Sequence, residues 1–374
     1  MSDSKKQNFA NRLKLARKMA GMSLQDLSNQ LENKVSKQAL SKYEQAQMYP
    51  TSDVMMNLSM VLDVKPDYFL KKKNLALGEI SFRKRANLPL KIEEAIVEKT
   101  RDYVERFLEI EEILGISSQF HNPIQDIEIN NLADVEKAAN QLRNEWNLGQ
   151  EPIPSVIGML ELKEIKVYVN DDDDKIDGFA VLSSNGIPVV YINGHAKPVE
   201  RIRFTAIHEL AHILLQFNSK LQADKKLIEK LCHYFASNFL LPKPKLIQLF
   251  GPNRTYIAIR ELEDVKRYWG ISIRALIYRL EQIGVIIPTY LRRWMISLTN
   301  KYGPKKEPGN YPYKEEPRLL FQLVNRALAE DVISISKASA LTNLSIKELR
   351  KRNSSASGLS NIQSHQRIQT GRDV

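Results

Sequence analysis

Residues 201–217 read RIRFTAIHELAHILLQF, and within them His208, Glu209 and His212 have the spacing H-E-x-x-H. Four residues make slightly more than one turn of an α-helix, so the two imidazoles leave one face together while Glu209 turns toward the adjoining side. With that spacing two histidines can share a metal ion. Zinc held by two histidines and a carboxylate keeps a position for water and lowers that water's pKa, leaving a neighbouring glutamate to accept the proton. Phe204, Ile207, Leu210, Ala211 and Leu214 supply the apolar face by which the same helix is buried. The competing reading is an ordinary core helix whose histidines are satisfied by hydrogen bonds.

A third ligand must come from elsewhere in the chain. Residues 227–242, LIEKLCHYFASNFLLP, form a second amphipathic pattern with Glu229, His233, Ala236 and Leu240 along one side. Spacing alone lets either Glu229 or His233 reach the metal. The single cysteine, Cys232, excludes an intramolecular disulfide and any zinc site built on two or more thiolates, so imidazole and carboxylate are the available donors. Cys232 itself reads as a small apolar packing residue.

At 374 residues, 43% hydrophobic and 26% charged, the chain is long and apolar enough for two or three domains, which excludes wholesale disorder. No run approaches the roughly 18 to 20 apolar residues of a membrane span, and the first residues lack the apolar stretch of a secretory signal. A soluble, cytoplasmic protein with no membrane partner is expected. The net charge of +11 favours polyanionic partners, and residues 1–74 hold thirteen Lys and Arg against seven Asp and Glu, a net +6 in a fifth of the chain.

In that basic segment Phe9, Leu13, Ala16 and Ala20 fall at helical spacing, and Gly21 closes the first helix. Ser23, with Asp26 three residues on, opens a second helix, and Ser36 opens a third that runs to about Glu44. Ser52 or Asp53 starts a fourth, and Pro66 to Leu70 make a short closing helix. Five short helices with a tight turn between the second and third resemble the helix-turn-helix domain of the lambda repressor and Cro (XRE) type. The resemblance covers about residues 9–70, carried by MSLQDLSNQL, VSKQALSKYEQAQMYP and LDVKPDYFL. It implies a double-stranded DNA operator as partner, with the third helix in the major groove. The matching positions here are Lys37, Gln38, Ser41 and Lys42 for base edges, with Arg17, Lys18 and Lys34 placed for phosphates. The alternative is a helical module that docks a protein through the same basic face.

Beyond a basic link at Lys71, Lys72 and Lys73, residues 91–115 read as a connecting helix whose mixed charges leave monomer and homodimer both open. Residues 133–147 and 155–165 read as helices, the latter leading into a strand at 166–170. Asp171 to Asp174 lack the spaced ligands of a calcium loop and read as a solvated hairpin tip. The runs DGFAVL and IPVVYIN are strands joined by SSNG, a hairpin turn, and with the helix that follows they imply a small α+β domain.

The pairing of R-x-R-F-T-x-x-H-E-L-x-H with a later E-x-x-x-x-x-F-A-x-x-x-L-x-P resembles the ImmA/IrrE metallopeptidases, gluzincin-like proteins often fused to a lambda-repressor-type domain. The resemblance spans about residues 75–285 and is strongest over 177–242. It implies His208 and His212 as zinc ligands, Glu209 as general base and Glu229 as the carboxylate ligand. The chain departs from the family at Cys232 and His233, where Ala and Asn are common, and at Ala211, where Gly is usual. His233 thereby stands as an alternative ligand or a transition-state donor. Arg274 and Arg279 are expected in surface salt bridges.

The fold class expected is mostly α with a small α+β metallopeptidase domain. Its parts are a helix-turn-helix domain at 1–74, a connecting helical region at 75–130, a metallopeptidase domain at 131–298, a linker or surface-wrapping segment rich in Pro, Gly, Tyr and charge at 299–318, a helical region at 319–352, and a disordered tail at 353–374. The function expected is a DNA-binding transcriptional regulator with a zinc-dependent peptidase domain that cuts a protein partner, a repressor by family resemblance. Such a substrate would be held as a strand added to the DGFAVL or IPVVYIN edge. The alternative is a DNA-binding regulator or antitoxin whose peptidase-like domain senses metal or binds a partner without turnover.

Overall fold

The computed structural model describes residues 3–71, 75–78, 89–172 and 176–357. Lys72, Lys73, Asp173, Asp174 and the tail from residue 358 lie outside them. The chain divides into two compact units, one of Met1–Asn74, Asp102–Ser117 and Arg318–Val374, the other of Leu75–Arg101 and Ser118–Pro317.

The first unit begins with α1 (Asp3–Met19), α2 (Leu24–Gln30), α3 (Lys37–Glu44), α4 (Ser52–Val61) and a 3₁₀ turn at Pro66–Leu70. Gly21, with φ +60°, ends α1 in a Schellman arrangement in which the Met22 N–H donates to the Arg17 carbonyl and the Gly21 N–H to the Lys18 carbonyl. Ser23 and Asp26 close a reciprocal capping box on α2, and Ser36 accepts from the Ala39 N–H to cap α3. The cap of α4 is Thr51 rather than Ser52 or Asp53, its hydroxyl accepting from the Val54 N–H. Phe9, Leu13, Leu27, Leu40, Leu58 and Phe69 meet in one core.

The long helix α5 (Leu90–Ile113) contributes its residues from 102 onward to this unit. Arg12 is buried, bonded to Glu105 at 2.5 Å and to the Lys71 carbonyl at 3.1 Å, which ties α1 to α5.

In the second unit the order is β1 (Glu128–Ile129), α6 (Leu132–Glu145), α7 (Val156–Leu162), β2 (Lys166–Asn170), β3 (Gly178–Leu182), β4 (Pro188–Asn193) and α8 (Val199–Leu214). Then come β5 (Gln216–Phe217), α9 (Ser219–Gln222), α10 (Lys225–Leu240), α11 (Lys243–Phe250), α12 (Ile259–Trp269), α13 (Ile273–Gln282) and α14 (Pro288–Tyr302). The three-stranded sheet has the order β2-β4-β3, with β4 parallel to β2 and antiparallel to β3. All six residues of β4 are buried. IPVVYIN is therefore the central strand, paired on both sides, and only the DGFAVL strand of the hairpin offers an edge. The two-residue strands β1 and β5 pair in parallel.

Helices α6, α8 and α10 pack into a single core around Val135, Leu142, Ile207, Leu214, Phe235 and Phe239. Of the two arginines expected at the surface, Arg279 is held inside this unit and Arg274 is half-buried. Arg279 is buried, with its guanidinium over the Tyr234 ring and bonded to Asn238, and Arg274 donates to the Gly303 carbonyl at 2.7 Å. Both bonds join segments distant in sequence, which local charge patterning does not register.

The segment at 299–318 is packed rather than loose. Glu315 is buried and accepts from the Val156 and Ile157 N–H groups at 2.8 and 2.9 Å, sitting at the positive N-terminus of α7. It also pairs with Arg203 of α8, whose guanidinium lies 4.7 Å from the centre of the Tyr311 ring. Lys266, also buried, pairs with Glu200 and Glu307 at 3.3 and 3.0 Å. The chain then returns to the first unit with α15 (Leu319–Ala329), α16 (Ile335–Thr342) and α17 (Ile346–Ser357). Arg106 of α5 donates to the Leu341 carbonyl at 2.7 Å, and Lys337 pairs with Glu109.

Candidate metal centre and nucleic-acid surface

Helix α8 is positioned by its buried face, where Ile207, Leu210, Ala211 and Leu214 enter the core. That burial fixes the rotation of the helix and turns His208 and His212 toward Glu229 of α10, with Glu209 toward the start of β3. Asp224 caps α10 by accepting from the Lys226 and Leu227 N–H groups, which places Glu229 one turn inside the helix.

The Nε2 atoms of His208 and His212 lie 3.2 Å apart. Glu229 reaches them with its two carboxylate oxygens, Oε2 at 3.5 Å from His208 Nε2 and Oε1 at 3.4 Å from His212 Nε2. Ligand atoms about 2.0–2.1 Å from a tetrahedral zinc ion lie about 3.3–3.4 Å from one another, so this cluster fits zinc in donor type and in size. His208 is buried, whereas His212 and Glu229 are part-exposed, leaving the cluster open on one side. Glu209 is buried and outside the cluster; a Cβ on Gly178 of β3 would fall 3.0 Å from its Cγ. The side chain of the expected base is thereby wedged between α8 and the start of β3.

His233 is not among the three converging groups. Its ring lies against His208 at 4.2 Å between centroids and against Phe204 at 5.6 Å, and it is exposed. Glu229→Ala is accordingly expected to lower zinc affinity by more than about 100-fold, while His233→Ala stays within the roughly 10- to 100-fold of an outer-partner change. Competition with a chromophoric chelator measures both, and the opposite ranking would make His233 the ligand. Cys232 is buried as expected, but its Sγ also lies 3.6 Å from His212 Nδ1. Sequence reasoning missed that contact; its signal is the position of Cys232 three residues after Glu229, on the flank of the same helix face.

On α3, Lys37, Gln38 and Lys42 are exposed and Ser41 is half-buried, accepting from the Gln45 side chain at 3.2 Å. Lys18 is half-buried, and Lys34 is exposed in a surface pair with Glu32 at 2.8 Å. Arg17 does not fit the phosphate position expected of it. Its guanidinium makes a bidentate pair with Glu44 at 2.6 and 2.8 Å and donates to the Met22 carbonyl, so it braces α1 against α3. The acid of its pair stands twenty-seven residues away, at the end of α3.

Comparison with known families agrees with both regions. The family model described as IrrE N-terminal-like domain matches residues 162–281, and a helix-turn-helix family model matches residues 13–69. The chain carries a helix-turn-helix DNA-binding domain and an IrrE-like domain of the metallopeptidase family. The IrrE-like match takes in β2 to β4, α8 and α10, so all the converging side chains fall within it. Over 107 residues the chain is 30% identical to the radiation response metalloprotease IrrE of Deinococcus radiodurans, covering 25% of this chain and 31% of that protein. The chain thus spans under a third of the length of that relative. No helix among the described residues is long and apolar enough to cross a membrane.

Proposed function

We propose that this protein is a cytoplasmic transcriptional regulator whose IrrE-like domain is a zinc-dependent endopeptidase acting on a protein partner, a repressor. The observation that carries the reading is the convergence of His208, His212 and Glu229 within about one zinc coordination sphere, beside the separate carboxylate of Glu209. Zinc bound by those three side chains supplies Lewis acidity toward the scissile carbonyl and the attacking water. Glu209 then takes the proton from water and passes it to the leaving amine. The edge of β3 near Gly178 holds the substrate chain extended beside that carboxylate, by main-chain hydrogen bonds.

The test is incubation of the zinc-loaded protein with the neighbouring gene's product as candidate repressor, followed by mass spectrometry. A single new terminus in the repressor, abolished by 1,10-phenanthroline, is the expected result. An intact repressor with zinc present would sink the reading.

For the N-terminal domain, Gln38 and Lys37 are assigned to base edges and Lys18 to a phosphate. Gln38→Ala is expected to weaken operator binding by about 5- to 100-fold and to relax preference at one base pair, the value of one bidentate contact. Lys18→Ala weakens all sequences alike and lowers the salt slope by about one unit. Gln38 is exposed, so its replacement leaves the fold intact, and titration of labelled operator at several salt concentrations separates the two effects.

A further inference from the structure

The outer end of the β3 edge is occupied by the chain itself. Leu77 stands opposite Ser183 in an antiparallel bridge, the Gly78 N–H donating to the Leu182 carbonyl at 2.9 Å and the Ser184 N–H to the Ala76 carbonyl at 2.8 Å. Leu75 anchors this segment by burying its side chain, and Gly78 permits the approach, since a Cβ there would lie 3.1 Å from the Leu182 oxygen. At its other end β3 begins with Gly178 against Glu209 and Thr205. Four residues of strand, about 13 Å, separate the two ends. Because strand groups alternate, the orientation that turns Leu182 and Ser184 toward residues 76–78 also turns the N–H and C=O groups of Ala180 and Gly178 toward the same edge.

We propose that residues 75–78 are an intramolecular strand that competes with substrate for the β3 edge and sets how long an extended peptide can pair there. A peptide that ladders along β3 from Glu209 meets this strand after Val181; one that reaches further has to displace it. Residues 75–78 follow the DNA-binding segment directly in sequence, so displacement by a long substrate acts on the chain joining the two domains. The inference rests on the peptidase reading for the identity of the competing peptide, but not for the competition itself.

Gly78→Pro deletes the donor that residues 75–78 give to β3, and Leu75→Ala removes the buried side chain that anchors the same segment, and both leave the N–H and C=O groups of β3 as they are. The experiment uses full-length protein carrying Glu209→Gln to prevent turnover, with dephosphorylated β-casein, an unfolded chain, as the probe. Gly78→Pro is expected to bind casein about 3- to 10-fold more tightly, the net worth of one backbone hydrogen bond, and Leu75→Ala at least about 3-fold more tightly, by loss of the buried anchor. Hydrogen exchange should show the Ala180 amide slowed by casein and, with the bridge intact, the Gly78 amide accelerated, while a peptide that has taken the edge accepts from the Ser184 N–H in place of the Ala76 carbonyl. Unchanged affinity in both variants, casein binding to none of the proteins, or persistent protection of Gly78 at saturation would overturn the proposal. Hydrolysis is read separately with Glu209 intact. Tighter binding of casein without cleavage of casein or of the repressor leaves the competition standing and removes the peptidase reading; cleavage that neither variant accelerates removes the competition alone.

Discussion

Glu209→Gln protein is expected to retain zinc in the stoichiometry of the wild type, to bind operator DNA unchanged, and to lose hydrolysis by about 10²- to 10⁴-fold, the range for removal of a positioned general base. The geometry separates these outcomes. Glu209 lies outside the His208, His212 and Glu229 cluster, so its replacement takes no donor from the metal. Glutamine has the same length and shape, which matters because the Cγ of Glu209 lies 3.0 Å from the position a Cβ would take on Gly178. Only the basic carboxylate is lost. Elemental analysis, operator titration and mass spectrometry of the partner measure the three quantities on one preparation. A variant that holds zinc, binds DNA and leaves transcriptional output intact would favour the opposing reading, in which the IrrE-like domain senses metal or binds its partner without turnover.

The residues that sequence reading placed well are those whose partners are near them in the chain. Ser23 and Asp26 cap α2 reciprocally because a capping box spans four residues, and His208 and His212 converge because a helical turn does. The strands of the SSNG hairpin are legible for the same reason, since a short turn sets their pairing. What escaped the reading was long-range. That β4 also pairs with β2 follows from a crossover, which places IPVVYIN in the middle of the sheet and removes it as a substrate edge. Arg17 looks like a phosphate ligand until Glu44 is brought beside it, and the grouping of α15 to α17 with the N-terminal helices depends on contacts from Lys337 and Leu341 back to α5.

The sharpest case is Glu315. In sequence it lies in a run of Pro, Gly, Tyr and charge that reads as linker, yet it is fully buried between Arg203 and the first N–H groups of α7. Glu315→Ala is expected to destabilise the IrrE-like domain by about 3 to 5 kcal/mol, because the Arg203 charge would remain buried without its acid. For a unit of this size that corresponds to roughly 6 to 20 °C in Tm, read by calorimetry as the transition that zinc shifts. Glu315→Gln keeps an acceptor for the α7 N–H groups and should fall between the two, whereas the double variant Arg203→Met with Glu315→Leu should recover most of the loss, since removing both charges removes the unpaired one. The consequence extends to the metal centre. Arg203 precedes His208 by five residues on α8 and also donates to the Ile153 and Gly270 carbonyls, so it holds the root of the ligand helix. Loss of zinc affinity in Glu315→Ala that is restored in the double variant would assign the effect to the buried charge. Equal stability of all three variants and the wild type would mean that the pair contributes nothing to the position of α8.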